Sequence, residues 1–230
     1  MKKNKMMRLA SGLLVAVLIT TSTISGTFAK YTSTETATDN ARVAKWDVVF
    51  TEDETLFATE YATDDGVYTG ANSVVTSTTD KLVAPGTTKS ATLISLEGES
   101  EVAARVTFTP TITLTGWTTD GADDYCPLIF TVGSTDYYIG SDPSITDADS
   151  LAEAVKTAAT KTADVDPNVN LNTVTCESIT WKWEFEGEKP SATLNGYQTD
   201  AKDTLLGERA DDGNAATVVV SIEARVDQID

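Results

Sequence analysis

The chain has 230 residues, enough for one substantial domain or two small ones. It contains 17 Lys and Arg against 35 Asp and Glu, two Cys and no His, for a formal net charge of −18. Without histidine, triads that use an imidazole base, His-ligated zinc sites and HExxH metalloproteases are excluded. The negative charge disfavours binding to nucleic acid. The 39 threonines are typical of an all-β extracellular protein rather than an enzyme.

The first 29 residues have the pattern of a secretory signal peptide. Four basic residues precede the apolar run 13–19, which is far shorter than the roughly 20 residues that span a membrane. Small side chains at Thr27 and Ala29 predict cleavage between Ala29 and Lys30. A short amphipathic membrane helix is the less favoured alternative. Cleavage would remove 4 of the 17 basic residues, leaving 13 against 35 acidic ones, a net charge of −22. We expect a secreted protein that is not associated with a membrane after cleavage.

A polar segment, residues 30–43, follows the cleavage site, and we call it the assembly arm. It has a single aromatic residue and cannot bury enough apolar surface to fold by itself. The residues that we expect to take part in assembly are Lys30, Tyr31, Thr32, Thr34, Thr36, Thr38 and Val43.

Alternating apolar and polar residues predict strands along much of the remaining chain. A turn at Gly98 predicts a hairpin between strands at 91–96 and 102–108. A turn at Gly133 predicts a second hairpin within 128–139. Further strands are predicted at 44–50, 112–114, 179–185 and 218–226, and residues 51–80 are predicted to be loops with one edge strand.

One helix is predicted over 146–162, and a short helical turn over 199–206 is predicted to end at Gly207. The longer helix has two candidate starts: a capping box of Ser150 with Glu153, or a cap at Thr146 or Asp147. Seven to nine strands with one or two inserted helices indicate an all-β protein. We therefore predict that residues 44–230 form a single antiparallel β-sandwich domain.

Cys126 and Cys176 are the two cysteines of the chain. A secreted destination favours a disulfide between them. Closing a loop of about 50 residues would contribute roughly 3 to 4 kcal/mol in the chain-entropy model. The alternative is a pair of buried thiols.

Three groups of acidic and amide side chains are candidate calcium ligands. The last has the spacing of four ligand positions of an EF-hand, but Val169 and Thr175 occupy the places of its glycine and bidentate glutamate. Solvated acidic loops are therefore favoured, and we expect no cofactor, with calcium as the weaker alternative. The groups are Asp120, Asp123 and Asp124; Asp142, Asp147 and Asp149; and Asp164, Asp166, Asn168 and Asn170.

Two pairs of residues, on the predicted strand 179–185 or just after it, are candidates for a functional role. Glu184 and Glu186 would lie about 7 Å apart on one face, as in an inverting glycosidase. Any half-exposed strand offers the same arrangement, so we do not predict an enzyme. Trp181 and Trp183 could form a carbohydrate platform, but their spacing on the apolar face favours a place in the core.

Several segments together resemble the TasA/camelysin family of secreted bacterial proteins, whose precursors are cut by a SipW-type signal peptidase. The stretches 26–33 and 40–48 look like that family's signal region and first strand. Residues 82–87, LVAPGT, are similar to its L-x-PG turn, and residues 220–228 resemble its closing strand. The resemblance is best at both ends and across 82–108.

This resemblance implies a jelly-roll-like sandwich that polymerises into fibres of the extracellular biofilm matrix or cell surface. Each copy would donate its N-terminal segment as a strand to the next copy, a form of β-augmentation called donor-strand complementation. The implied partners are other copies of the chain, the signal peptidase, and an anchoring or minor matrix protein. Camelysin relatives have been described as metalloproteases, which the histidine-free chain does not support. The alternative function is a monomeric cell-surface Ig-like adhesin or ligand-binding module.

Overall fold

The computed structural model describes residues 41–61, 75–77, 79–119, 125–184 and 200–229. The signal peptide, its cleavage site and arm residues 30–40 lie outside these ranges, as do the acidic group at 120–124 and Glu186. The chain divides into two compact units, Met1–Val43 and Ala44–Asp230. The second unit contains all the strands and helices described below.

Strands dominate the described residues, and two α-helices accompany them. The strands are β1 (Trp46–Glu52), β2 (Glu60–Tyr61), β3 (Val75–Thr76), β4 (Thr87–Ala91), β5 (Ile94–Ser100), β6 (Ala104–Thr115), β7 (Leu128–Val132), β8 (Thr135–Tyr137), β9 (Lys161–Val165), β10 (Ile179–Trp183) and β11 (Thr217–Gln228). The helices are α1 (Ala148–Ala159) and α2 (Asp200–Asp211), with a 3₁₀ turn at Leu171–Thr173.

All strand pairs described are antiparallel. One sheet has the order β11–β6–β9 and another the order β4–β10–β7–β8, while β1 pairs with β5 and β2 with β3. Only two residues separate β4 from β5, and hydrogen bonds from Asp53 N and Glu54 N to the carbonyls of Leu93 and Thr92 extend the pairing of β1 into that break. The predicted all-β antiparallel sandwich with inserted helices is confirmed.

The core forms because β6 alternates strictly between buried and outward residues along its length. Its second half contributes Ile112 to a cluster with Phe130 and Trp181, and its first half contributes Phe108 to a cluster with Leu96. The indole N–H of Trp181 donates to the carbonyl of Leu56 at 2.9 Å. Trp183 is also buried, so the core interpretation of the two tryptophans is confirmed.

Helix α1 begins at the second of the two starts that its sequence allows. Asp147 is its N-cap and accepts from the backbone N–H of Ser150, whose hydroxyl reaches back to the N–H of Asp147. Leu151 and Val155 are fully buried and fix the inward face of the helix. The predicted Ser150–Glu153 box is therefore wrong: Glu153 pairs with Lys156 instead.

Two glycines were predicted to end elements, and both lie inside them. Gly98 does not form a hairpin turn, because β5 continues through it to Ser100 and pairs with β1 rather than β6. Its φ is +110°, and a Cβ there would stand 2.2 Å from the carbonyl oxygen of Asp47, so glycine allows the two strands to approach. Gly207 lies within α2, which ends near Gly213.

The long strands give the domain two ends. The lower end holds the paired residues Trp46 with Ser100 and Gln228 with Ala104. The upper end holds the pairs Trp183 with Thr87 and Thr217 with Thr115. At about 3.3 Å per residue, the length of β6 separates the ends by roughly 36 Å.

Candidate assembly interface

The longest strand edge without a neighbour in the described residues belongs to β11. Twelve residues of β11 pair with β6, and no other described strand pairs with it. Along the second edge, the outward backbone N–H and C=O groups offer a ladder to an incoming strand. This edge runs from the upper to the lower end of the domain.

The inward face of β11 is less well covered than that of its neighbour. The inward residues of β6 are buried, whereas those of β11 are only half-buried. They pack against the two core clusters, so the apolar row reaches from one cluster to the other. These residues are Val218, Val220, Ile222, Ala224 and Val226. A strand added beside β11 could complete the burial of this row.

The edge carries limited protection against pairing. Three charged residues, Glu223, Arg225 and Asp227, lie near its lower end, where Arg225 pairs with Asp227 at 2.7 Å. Edge strands of soluble proteins are normally short or interrupted by proline or a bulge. β11 has 12 residues without a proline. The alternation of the sequence predicted this strand but could not show that it lies at an edge.

An apolar pocket of about 700 Å³ opens at the upper end, between α2, the start of β11 and residues 80–85. Trp117 and Trp183 lie side by side in its wall, with ring centroids 5.7 Å apart. The indole N–H of Trp117 donates to the carbonyl of Thr217 at 2.8 Å. That of Trp183 is buried and has no acceptor among the described residues. The sequence alone does not reveal this pocket, because its wall comes from segments that are far apart in the chain.

Helix α2 forms one side of the pocket and is held by a polar contact. The buried hydroxyl of Tyr125 donates to the carboxylate of Asp203, and the ammonium of Lys202 lies 5.2 Å from the tyrosine ring centroid. Leu206 is the buried apolar residue of the helix. Leu206 and Gly207 line the pocket.

The lower end presents exposed apolar side chains. Trp46 is 44% exposed and Val169 is 37% exposed. Trp46 pairs with Ser100, and the carbonyl of Ser100 accepts from the backbone N–H of Asn168, next to Val169. Lys45 N donates to a carboxylate oxygen of Glu101 at 2.6 Å, which fixes the point where β1 begins.

Cys126 and Cys176 are both buried and are not joined by a disulfide. Cys126 lies in the larger core cluster and Cys176 in the smaller one. Burial raises the pKa of Cys126 to about 12 and that of Cys176 to about 11. The disulfide favoured by secretion is thus absent from this structure, and the alternative of two buried thiols is the one found.

Several described members of the candidate calcium groups hold local structure. Asp142 accepts from the backbone N–H and hydroxyl of Ser144 at 2.9 and 2.6 Å. These bonds hold the pKa of Asp142 below its ordinary value. Asp164 forms two bonds with Arg105, at 2.7 and 2.9 Å, which lower the pKa of that carboxyl. Within the described ranges, no three potential metal ligands cluster.

Two other candidate residues, Asn170 and Glu184, also have partners. Asn170 caps the 3₁₀ turn by accepting from the backbone N–H of Asn172 at 2.9 Å. Glu184 pairs with Lys182 at 2.8 Å, while Glu186, its predicted companion, lies outside the described residues.

Comparison of the chain with protein-family models, curated proteins and solved structures finds no match. Among the residues described here, no helix is long and apolar enough to cross a membrane.

Proposed function

We propose that the mature chain is a secreted structural protein that polymerises into extracellular fibres. In this proposal, the assembly arm of one copy pairs along the free edge of β11 in the next. The observation that carries the proposal is the 12-residue edge of β11 with its half-buried apolar row. An added strand would satisfy the backbone groups of this edge and cover the row.

The length of the arm suits this edge. The 14 residues from Lys30 to Val43 would span roughly 46 Å as a strand at about 3.3 Å per residue. The 12 residues of β11 need less than that. An arm that binds a neighbour can therefore pair along the whole strand.

The charge of the arm also suits an acidic acceptor. Lys30 and Arg42 balance Glu35 and Asp39, so the arm is neutral. The charge of −22 expected after cleavage therefore lies entirely in the remainder of the chain. Because a neutral strand meets little repulsion, the arm can approach a surface that would repel another copy of the domain. Cleavage before Lys30 adds a positive amino group.

The position of β1 makes the contact open-ended. The chain enters the domain at the lower end, so an arm that extends beyond this end meets the upper end of the next copy. The end of the arm at Val43 would lie there, and its start at Lys30 would lie toward that copy's lower end. Because β11 runs from the upper to the lower end, the arm would run antiparallel to β11. Donor and acceptor surfaces differ, so the contact is heterologous and propagates into a filament.

The resemblance to the TasA/camelysin family supports the same proposal. It adds a SipW-type signal peptidase, which would expose the arm by cleavage, and an anchoring or minor matrix protein at the cell surface. The alternative function, a monomeric adhesin or ligand-binding module, would use the upper pocket for a ligand. That module would stay monomeric and bind a component of a glycan or matrix array.

The test uses proline to remove single backbone donors from the arm. Thr34→Pro and Glu35→Pro affect neighbouring residues whose N–H groups point to opposite sides of a strand. We expect at least one of these variants of the chain beginning at Lys30 to lose fibres in electron micrographs. Thr34→Val is the matched control and should assemble normally. If both proline variants form fibres as the unmodified chain does, pairing of the arm with a strand edge is refuted.

A further inference from the structure

The two ends of the domain carry apolar surfaces that differ in shape. The upper end has a concave pocket, whose wall includes Leu82, Trp117, Trp183 and Leu206. The lower end has a projecting side chain, Trp46, whose 44% exposure leaves much of the indole in water. Large aromatic side chains in apolar pockets contribute strongly to protein interfaces.

Two other exposed apolar residues lie at the two ends of the domain, whereas the exposed Val49 and Phe50 lie farther along β1. Val169 adjoins Trp46 through Ser100 at the lower end. Val219, which is 56% exposed, lies on the rim of the upper pocket. Apolar surface is therefore available beside both the projecting tryptophan and the pocket.

We propose that Trp46 of one copy inserts into the upper pocket of the next copy, as an axial contact between domains. Because roughly 36 Å separates the two ends, Trp46 cannot reach the pocket of its own domain. A projection and a pocket on opposite ends form a heterologous contact, which repeats along one direction without closing.

The occupant is a second copy because of where the arm ends in this chain. Two residues, Ala44 and Lys45, separate the arm from Trp46, so an arm bound to a neighbour brings Trp46 to that neighbour's upper end. The axial contact depends on the proposed fibre, but it uses surfaces other than the edge of β11.

Cross-linking tests the contact directly. A chain with both Ala44→Cys and Gly207→Cys keeps Trp46 and carries one thiol at each end; Ala44 is exposed, and a Cβ at Gly207 would meet no atom within 4 Å. The native thiols are buried, so a short bismaleimide should react with the introduced ones. We expect a ladder of trimers and larger products after the chain has assembled. Either single variant should stop at dimers.

Phe50 supplies the control, because it is exposed on the strand that begins at Trp46 but lies four residues farther from the lower end. The Phe50→Cys/Gly207→Cys chain should yield at least tenfold less of the products above dimer. Equal ladders from the two double variants, or fibres without a ladder from Ala44→Cys/Gly207→Cys, would overturn the contact.

Pocket filling gives a second readout that does not depend on cross-linking. Gly207→Leu should place a side chain in the pocket, whereas Gly207→Ala should leave it largely open. Both replace a helical glycine by a better helix former, so thermal unfolding should show no loss of stability. We expect at least a tenfold rise in the concentration needed for assembly with leucine and little change with alanine. Equal values for the two variants would contradict the contact.

The two proposals can fail separately. Fibres in electron micrographs without the ladder would overturn the axial contact and leave the arm pairing in place. A ladder without fibres would keep the axial contact and count against the proposed function. Absence of both would overturn both proposals.

Discussion

Gly98 offers a sharp test of how β1 is held in the domain. The residue pairs with Val48 across the ladder and has a φ of +110°. A Cβ at this position would stand 2.2 Å from the carbonyl oxygen of Asp47 and 2.9 Å from its carbon. Both atoms are backbone, so relief requires β1 and β5 to move apart. Gly98→Ala should therefore destabilise the domain through strain and through the clash.

The magnitude follows from a comparison with Gly133. Gly133 also has a positive φ, +61°, but a Cβ there would meet nothing within 4 Å. Gly133→Ala should cost about 1 to 2 kcal/mol from the backbone alone. Gly98→Ala adds an overpacking cost of about 1 to 3 kcal/mol. We therefore expect the Gly98 variant to be less stable than the Gly133 variant by about 1 to 3 kcal/mol.

Urea unfolding followed by tryptophan fluorescence measures this difference. With a slope of about 2.5 kcal/mol per molar urea, a difference of about 1 to 3 kcal/mol lowers the midpoint by about 0.4 to 1.2 M. If the two variants unfold at the same midpoint, β1 does not lie against Gly98 as the structure has it. The chain would then enter the domain elsewhere than at the lower end.

Three further predictions concern buried or capping groups. Cys126 and Cys176 should resist alkylation by iodoacetamide in the native protein at pH 8 and react in urea, because burial raises their pKa values to about 12 and about 11. Rapid alkylation of the native protein, detected by mass spectrometry, would contradict this prediction. Asp147→Ala should lower the free energy of unfolding by about 1 kcal/mol at pH 7. Hydrogen bonds from Ser150 lower the pKa of Asp147 below its ordinary value of 3.8. The stabilisation by the ionised cap is therefore present above that pH and is lost as the pH falls through the pKa of the native state. A difference in unfolding free energy between the variant and the unmodified chain that stays constant down to pH 2 would refute the cap. Trp181→Phe should cost about 1 to 3 kcal/mol in urea unfolding because it leaves a buried carbonyl without its donor, and an unchanged midpoint would count against that bond.

Period-two alternation predicted much of the sheet structure because buried and outward residues alternate on strands that have one face in the core. The pattern led to β10 and β11, and the two-residue turn at Gly133 led to the hairpin of β7 and β8. It predicted two strands, 102–108 and 112–114, where β6 runs unbroken from Ala104 to Thr115 through Pro110. It did not predict the short strand β9, because Lys161–Val165 follows α1 closely and the helical pattern extends to Thr162.

Glycine was the main source of error, because local sequence does not show why a glycine is needed. At Gly98 the reason is a carbonyl from a distant strand, and at Gly207 the helix continues through an open position. The candidate interface was predictable only in part. The arm follows from composition, whereas the edge of β11 and the upper pocket depend on which segments the fold brings together.

Amide hydrogen exchange of the mature chain, before and after assembly, tests the central proposal most directly. If the arm pairs with β11 of a neighbour, amides of residues 30–43 should exchange at least tenfold more slowly in fibres than in unassembled chains. Amides of β11 that face its free edge should slow in parallel. Fibres in which the arm and β11 exchange as they do in the unassembled chain would contradict the proposal.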